Sequence, residues 1–411
     1  MRILVVVSNY PYAEHEFTGV FNERCVAALR AQCEAVEVLA PRPYAPQLFR
    51  RAALVPRWRS YAAIKPYEVR NGVAIYRPAY IRVPRLGSNF WLGTGAYLLC
   101  RRQVREMHRR VRFDAILAFD LVAAGDLASR LGRDLGIPAS CWATGERISA
   151  KFLRHLDLIF YQSRELFETA ARELRLTPAQ MQTERHVVLS RGIPSPPARS
   201  WCAERSRLRS AWQISDDTTV VLTLGRIARE KGIFEILEAI SQVRRHNSRV
   251  ICVIVGSKPE FDETAVVART IYRDPDLRQS VRLLPACSPE DVWTFLSAAD
   301  VFVFASYKEG MPNALLEAMV MSLPTVAFAI PPVLEIEAGR GGLVLVEPLN
   351  AVQLGNAILS LAGSPEERLR IGQIGRAEVV NRFMVEKNMA EALARLDEMI
   401  RRRHHVPLPL A

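Results

Sequence analysis

Residues 301–327 read VFVFASYKEGMPNALLEAMVMSLPTVA, and this stretch decides how the chain is built. It starts with an apolar run of strand length, Val301 to Ala305. A polar turn follows from Ser306 to Asn313, then a helix-like run from Ala314 to Ser322, then a second apolar run from Thr325. A strand–loop–helix–strand unit of this kind builds parallel α/β sheets. In such sheets ligands sit beyond the carboxyl ends of the strands, which here is the loop 306–313.

Two carboxylates mark the unit: Glu309 in the loop and Glu317 inside the helix. Asn313 is expected to cap the helix, leaving backbone N–H groups facing the loop. A helix N-terminus beside two acceptor carboxylates suits a ligand with an anionic part and many hydroxyls, as a nucleotide-sugar has. A solvated loop acid and an ordinary amphipathic-helix acid would leave the same letters in the sequence.

A second segment sits upstream. Leu222-Thr223-Leu224-Gly225-Arg226 is a strand ending in glycine, and Lys231-Gly232 closes the loop before the next helix. Arg226 can fork two phosphate oxygens, while Lys231 supplies a point charge. Two placed cations stabilise the negative charge of a departing diphosphate.

Together these segments resemble the retaining glycosyltransferases of family 4. Glu309-Gly310-Met311-Pro312-Asn313 with Glu317 is similar to the family's E-x7-E segment, and Gly225 to Gly232 to its G-R-x4-K-G diphosphate motif. The resemblance implies the GT-B fold: α/β, with two Rossmann-like domains whose parallel sheets face a central cleft. It implies transfer of a hexosyl unit from a nucleotide diphosphate sugar, with retention of anomeric configuration. The acceptor would be a glycan or a lipid-linked sugar in cell-envelope polysaccharide synthesis. Arg226, Lys231 and Glu309 would be the catalytic residues. Gly19, Gly225, Gly256, Gly310, Met311, Pro312, Asn313 and Glu317 would bind the donor, and Thr144 and Gly145 would face the acceptor. No metal or other cofactor is expected. Asp274-Pro275-Asp276 is a formal D-x-D, but it is expected to be a surface turn.

Three positions depart from the family pattern. Thr144-Gly145 stands where His-Gly is usual, Arg191-Gly192 where Asn-Gly is usual, and Ile330-Pro331-Pro332 where a Gly-Gly turn is usual, with Glu335 keeping the acid that follows. A catalytically weak partner subunit and a nucleotide-sugar epimerase of the same fold therefore stay open as alternatives.

The rest of the chain fits two α/β halves. Its 411 residues suffice for two cores. The N-terminus, MRILVVVS, reads as a strand followed by a loop with Gly19 and a helix. Pro194 to Ser200 reads as a linker. The expected domains are 1–193, 194–380, and a final 381–411 segment of helix and basic tail. By the resemblance, that helix packs back on the N-terminal domain. Seven cysteines form no C-x-x-C pair and read as reduced thiols. No run is long enough to span a bilayer, and the first residues lack a signal-peptide core. A cytoplasmic protein is expected, peripheral on the inner face of the membrane. The net charge is +12, and residues 42–112 hold sixteen Lys/Arg against two acids, interleaved with aromatics. That composition suits an anionic membrane surface or an anionic acceptor. Nucleic acid would fit the charge but not the paired motifs, so no nucleic-acid partner is expected.

Overall fold

The computed structural model describes residues 1–12, 18–45, 56–81, 91–144, 155–257 and 263–405. The chain divides into two compact units. Unit 1 is Met1–Gly192 with Val385–Ala411, and unit 2 is Ile193–Met384.

Unit 1 carries β1 (Arg2–Val6), β2 (Ala35–Leu39), β3 (Arg42–Pro43), β4 (Tyr67–Arg70), β5 (Val73–Tyr76), β6 (Ala79–Tyr80), β7 (Ala115–Ala118), β8 (Ala139–Ala143), β9 (Leu158–Tyr161) and β10 (His186–Val188). Eight of them form a sheet in the order β10-β9-β8-β7-β1-β2-β5-β4, and β3 pairs with β6 apart from it. All pairs are parallel except β4–β5. That antiparallel hairpin turns at Asn71-Gly72, both at positive φ, as the Asn-Gly pair predicts. The central strands are buried on both faces: Ile3 to Val6 and Ala115 to Ala118 are all fully covered. A sheet so enclosed needs apolar side chains at every position, which is why MRILVVVS and FDAILAF do not alternate.

Helix α1 (Val20–Arg30) follows β1, and α2 (Ala96–Val111) precedes β7. In unit 2, β11 (Thr219–Leu224), β12 (Val250–Ser257), β13 (Val281–Pro285), β14 (Val301–Phe304), β15 (Thr325–Phe328) and β16 (Val344–Val346) form one parallel sheet in the order β13-β12-β11-β14-β15-β16. The order reverses between β11 and β14, the strands that carry the two sequence motifs. The helices that matter below are α3 (Ile233–His246), α4 (Pro275–Ser280), α5 (Asn313–Val320), α6 (Pro331–Glu337) and α7 (Pro365–Arg382).

The last helix, α8 (Val385–His405), belongs to unit 1. Val385, Met389, Ala392 and Leu396 are buried in one cluster with Cys25, Val26 and Leu29 of α1. Gln32 donates to the Glu386 carbonyl at 3.1 Å, and Asn388 to the Ser190 carbonyl at 2.9 Å. The returning segment therefore begins at 385 rather than 381, because α7 runs to Arg382 and Phe383 is buried in the core of unit 2. The basic run Arg401 to His405 is the end of this helix, not a loose tail.

Candidate functional site

In unit 2 two neighbouring strands end side by side. β11 runs into Gly225, and β14 runs into Ala305-Ser306. The loops beyond them are tied together. Tyr307 donates its N–H to the Glu230 carbonyl at 2.9 Å, and the Ser306 hydroxyl donates to the same oxygen at 3.2 Å. Gly232 caps α3 at φ 66°, and a Cβ there would lie 2.0 Å from the Ala305 carbonyl oxygen. Only glycine lets the backbones come this close. Gly256, at the end of β12, meets Gly225 in the same way: a Cβ would lie 2.0 Å from the Gly225 carbonyl oxygen.

This backbone frame sets the charged groups. Lys231 Nζ donates to Glu309 Oε1 at 2.5 Å, joining residues 78 apart in sequence. Both are part-buried, with side chains 26% and 15% exposed. Arg226 is exposed and pairs with Glu230. Arg229 is drawn away, its guanidinium 4.6 Å from the centre of the Phe234 ring. A small recess is lined by Thr223, Gly225, Arg226, Lys231, Ala305 and Ser306, among others.

Gly310, Met311 and Pro312 lead into α5. Here the structure corrects the cap. Pro312, not Asn313, is the N-cap, and no side chain caps the helix. The Pro312 carbonyl already accepts the first helical bond, from Leu316 N at 3.2 Å, so Asn313 is the first helical residue and its N–H goes to the Met311 carbonyl at 3.0 Å. Glu317 is 6% exposed. Its charge reaches Cys287 in the loop after β13. Burial pushes that thiol up to about 11, and Asp291 and then Glu317 add to the rise.

Pro331-Pro332 opens α6, with Pro331 directly after the cap residue Ile330. A first-turn proline gives up an N–H that no helical carbonyl could have used. The D-x-D is a helix start rather than a surface turn. Asp274 accepts from the N–H groups of Asp276 and Leu277 at 2.8 and 3.3 Å and from the Ser241 hydroxyl at 2.9 Å. Among the described residues no three His, Cys, Asp or Glu are grouped to hold a metal ion.

In unit 1, Gly19 caps α1 at φ 79°, where a Cβ would lie 2.6 Å from the Asn9 carbonyl oxygen. Thr144 stands at the end of β8, and Gly145 lies outside the described residues. A network at these strand ends escaped the sequence reading. Arg191 Nη1 donates to Asn22 Oδ1 at 2.6 Å, and Asn22 Nδ2 donates to the Asn9 carbonyl at 2.8 Å. Burial lowers the pKa of Arg191. Buried Asp120 accepts from Ser8, Ala123 and Ala124 N–H groups. The only sequence signal was that Arg191 stands where asparagine is usual.

Residues 204–378 match the family model described as glycosyl transferases group 1. TuaC of Bacillus subtilis (strain 168), a glycosyltransferase named for teichuronic acid biosynthesis, is 25% identical over 87% of this chain and 88% of its own length. The alpha-D-kanosaminyltransferase of Streptomyces kanamyceticus is 32% identical over 42% of this chain and 43% of its own. Among solved structures, a glycosyltransferase from Rickettsia africae ESF-5 superposes with a TM-score of 0.72 at 14% identity, covering 97% of this chain and 98% of that one. Anabaena Alr3699/HepE in complex with UDP-glucose gives 0.68 at 17% identity over 96% of this chain and 100% of that one. The architecture is GT-B. The likeness to the group 1 glycosyl transferases lies in the second unit, over residues 204–378.

Proposed function

We propose that this chain transfers a hexosyl unit from a nucleoside diphosphate sugar to a glycan or lipid-linked acceptor in cell-envelope polysaccharide synthesis, with retention at the anomeric carbon. The observation that carries the reading is the Lys231–Glu309 contact at 2.5 Å, made by two loops pinned at the carboxyl end of one sheet. Arg226 and Lys231 hold the diphosphate and stabilise the leaving group. Glu309 accepts from donor-sugar hydroxyls, and Glu317 from the ribose. Gly225, Gly256 and Gly310 to Asn313 give the donor a close backbone, and Gly19 is proposed for donor binding within its own unit. Thr144 and Gly145 are on the acceptor's side. No side chain acts as a covalent nucleophile. The leaving phosphate helps deprotonate the acceptor on the same face, which asks least of these residues. Neither a metal nor another cofactor is needed, since cations and helix termini neutralise the phosphate charge. TuaC is named for an envelope polymer, which supports that class of acceptor.

The test is thermal unfolding with UDP, GDP and ADP, alone and as sugar conjugates, followed by an acceptor screen. UDP comes first because HepE is seen with UDP-glucose. A ligand at a hundred times its Kd stabilises by about 2.7 kcal/mol. A shift with one base that disappears in Arg226→Ala and Lys231→Ala supports the reading. No shift with any of them overturns it. Thr144, in place of the usual imidazole, favours one other outcome: nucleotide binds but no sugar moves, as in a weak partner subunit.

The membrane part rests on α2. Leu98 and Leu99 are both more than half exposed there. Arg101 and Arg102 lie one turn on, in ion pairs with no carboxylate among the described residues. Four other arginines of this region are matched instead: Arg70 with Glu23, Arg77 with Glu68, Arg105 with Asp134, and Arg110 with Glu37. We place the contact with an anionic bilayer on this turn of α2, with the protein peripheral on the cytoplasmic face.

A further inference from the structure

Two of the departures from the family pattern meet in the structure. Ala143 and Tyr161 are register partners on β8 and β9, so the residues that follow them, Thr144 and Gln162, leave the sheet side by side. Gln162 also donates its N–H to the Ala143 carbonyl at 3.3 Å. With its amide turned so that oxygen faces the guanidinium, the orientation that satisfies both groups, Gln162 accepts from Arg191 Nε at 2.6 Å and Nη2 at 3.1 Å. The third nitrogen, Nη1, holds Asn22 in the first turn of α1. The guanidinium carbon lies 5.9 Å from the centre of the Phe119 ring, beyond β7. One side chain three residues beyond β10 thus joins the ends of β9 and β7 to α1. The chain of bonds continues: Asn22 Nδ2 fixes the Asn9 carbonyl, and Asn22 N–H fixes the Gly19 carbonyl at 2.9 Å. The Asn9 carbonyl is the group packed where a Cβ on Gly19 would stand. An asparagine at 191 is too short to reach Asn22 and Gln162 together. A lysine keeps the charge but has no planar fork.

We propose that Arg191 is a positioning residue: its guanidinium fork, braced on Gln162 beside Thr144, locks Asn22 and thereby the Gly19 turn of the donor-binding face. The role depends on the proposed function only for its consequence, the donor-binding part proposed for Gly19. The locking itself is independent of it. Asp120 is the nearby acid and accepts from three backbone N–H groups; among the described residues no ion pair joins it to the guanidinium, whose hydrogen bonds go to the neutral amides of Asn22 and Gln162.

The experiment uses the full-length chain and the variants Arg191→Asn, Arg191→Lys, Asn22→Ala and the double Arg191→Asn/Asn22→Ala. Amide hydrogen exchange is followed at residues 20–23, with β7 as internal reference. Losing a hydrogen bond to a charged group is expected to speed exchange in that turn about tenfold, with β7 unchanged. Lysine is expected to behave like asparagine. The double variant is expected to exchange no faster than the faster single, because both break one chain of bonds. Unchanged exchange at 20–23 in Arg191→Asn overturns the inference. So does full recovery by lysine, which would make the charge, not the fork, the cause. The Kd for UDP, GDP or ADP is then measured by calorimetry. An about tenfold rise for the base that binds is expected in Arg191→Asn, a rise that partial unfolding produces only when about nine-tenths of the variant is unfolded, which the β7 reference reports. If Lys231→Ala abolishes binding while Arg191→Asn leaves both Kd and exchange at the wild-type value, the positioning role falls and the proposed function stands. If no nucleotide binds the wild type, the proposed function falls and exchange alone judges Arg191.

Discussion

Lys231 and Glu309 are the residues on which the proposed donor site turns. Each was visible in the sequence as a charged letter in a loop, but their pairing was not, because it joins loops from different strands. In Lys231→Ala, Glu309 keeps its carboxylate and loses its cation, so both the ligand's partner and its own are gone. Transfer is expected to fall at least about a hundredfold, the size seen when one group that stabilises developing charge is removed. Glu309→Gln keeps the shape and is expected to weaken transfer more than nucleotide binding. Steady-state rates alongside nucleotide Kd values check both. A second residue test concerns acid stability. Burial, then the charge of Arg185, lowers His186 to about 4, and its Nδ1 lies 2.9 Å from the Tyr161 hydroxyl. The unfolded chain binds this proton near pH 6.5 and the folded one does not until about 4, so the histidine's contribution is complete above 6.5 and is lost as pH falls toward 4. His186→Gln is expected to show a shallower fall of Tm between those limits.

At the scale of elements, α3 and α8 are held in different ways. The start of α3 depends on Gly232, where positive φ and the Ala305 carbonyl both exclude a side chain. Gly232→Ala is expected to cost about 1–3 kcal/mol and to loosen the Lys231 loop, which thermal unfolding and nucleotide Kd report separately. α8 depends on its apolar stripe. Leu396 is fully buried against α1, and Leu396→Ala is expected to cost about 2–5 kcal/mol, read as a drop in urea midpoint. The stripe at 385, 389, 392 and 396 was legible as helical periodicity. Its partner was not, since periodicity says that a face is buried and not what buries it. The α5 cap shows the same limit: Asn313 has the capping chemistry, yet Pro312 takes the cap, because the loop's path and not the residue's propensity sets where the first helical carbonyl falls.

For the whole molecule, the +12 charge is less informative than where it goes unmatched. The exposed Leu98 and Leu99 of α2, with Arg101 and Arg102 in ion pairs with no carboxylate among the described residues, make one concrete expectation. Pelleting with anionic liposomes is expected to be lost in Leu98→Ser/Leu99→Ser and to weaken in Arg101→Gln/Arg102→Gln, with vesicles of neutral lipid pelleting neither variant nor wild type. Pelleting indifferent to lipid charge would sink it. What the amino-acid sequence determined by itself was local. Apolar runs of strand length, amphipathic runs between them, and short motifs at strand ends specify two parallel α/β units and the candidate residues of the proposed donor site. Those signals depend on side-chain period and on loop chemistry within about ten positions. Only the tertiary structure decided that Lys231 meets Glu309, that α8 closes unit 1, that Gly232 is forced by Ala305, and that Arg191 bridges α1 to the strand ends. Each of these is a contact between segments far apart along the chain, where geometry chooses among many residues of equal chemistry.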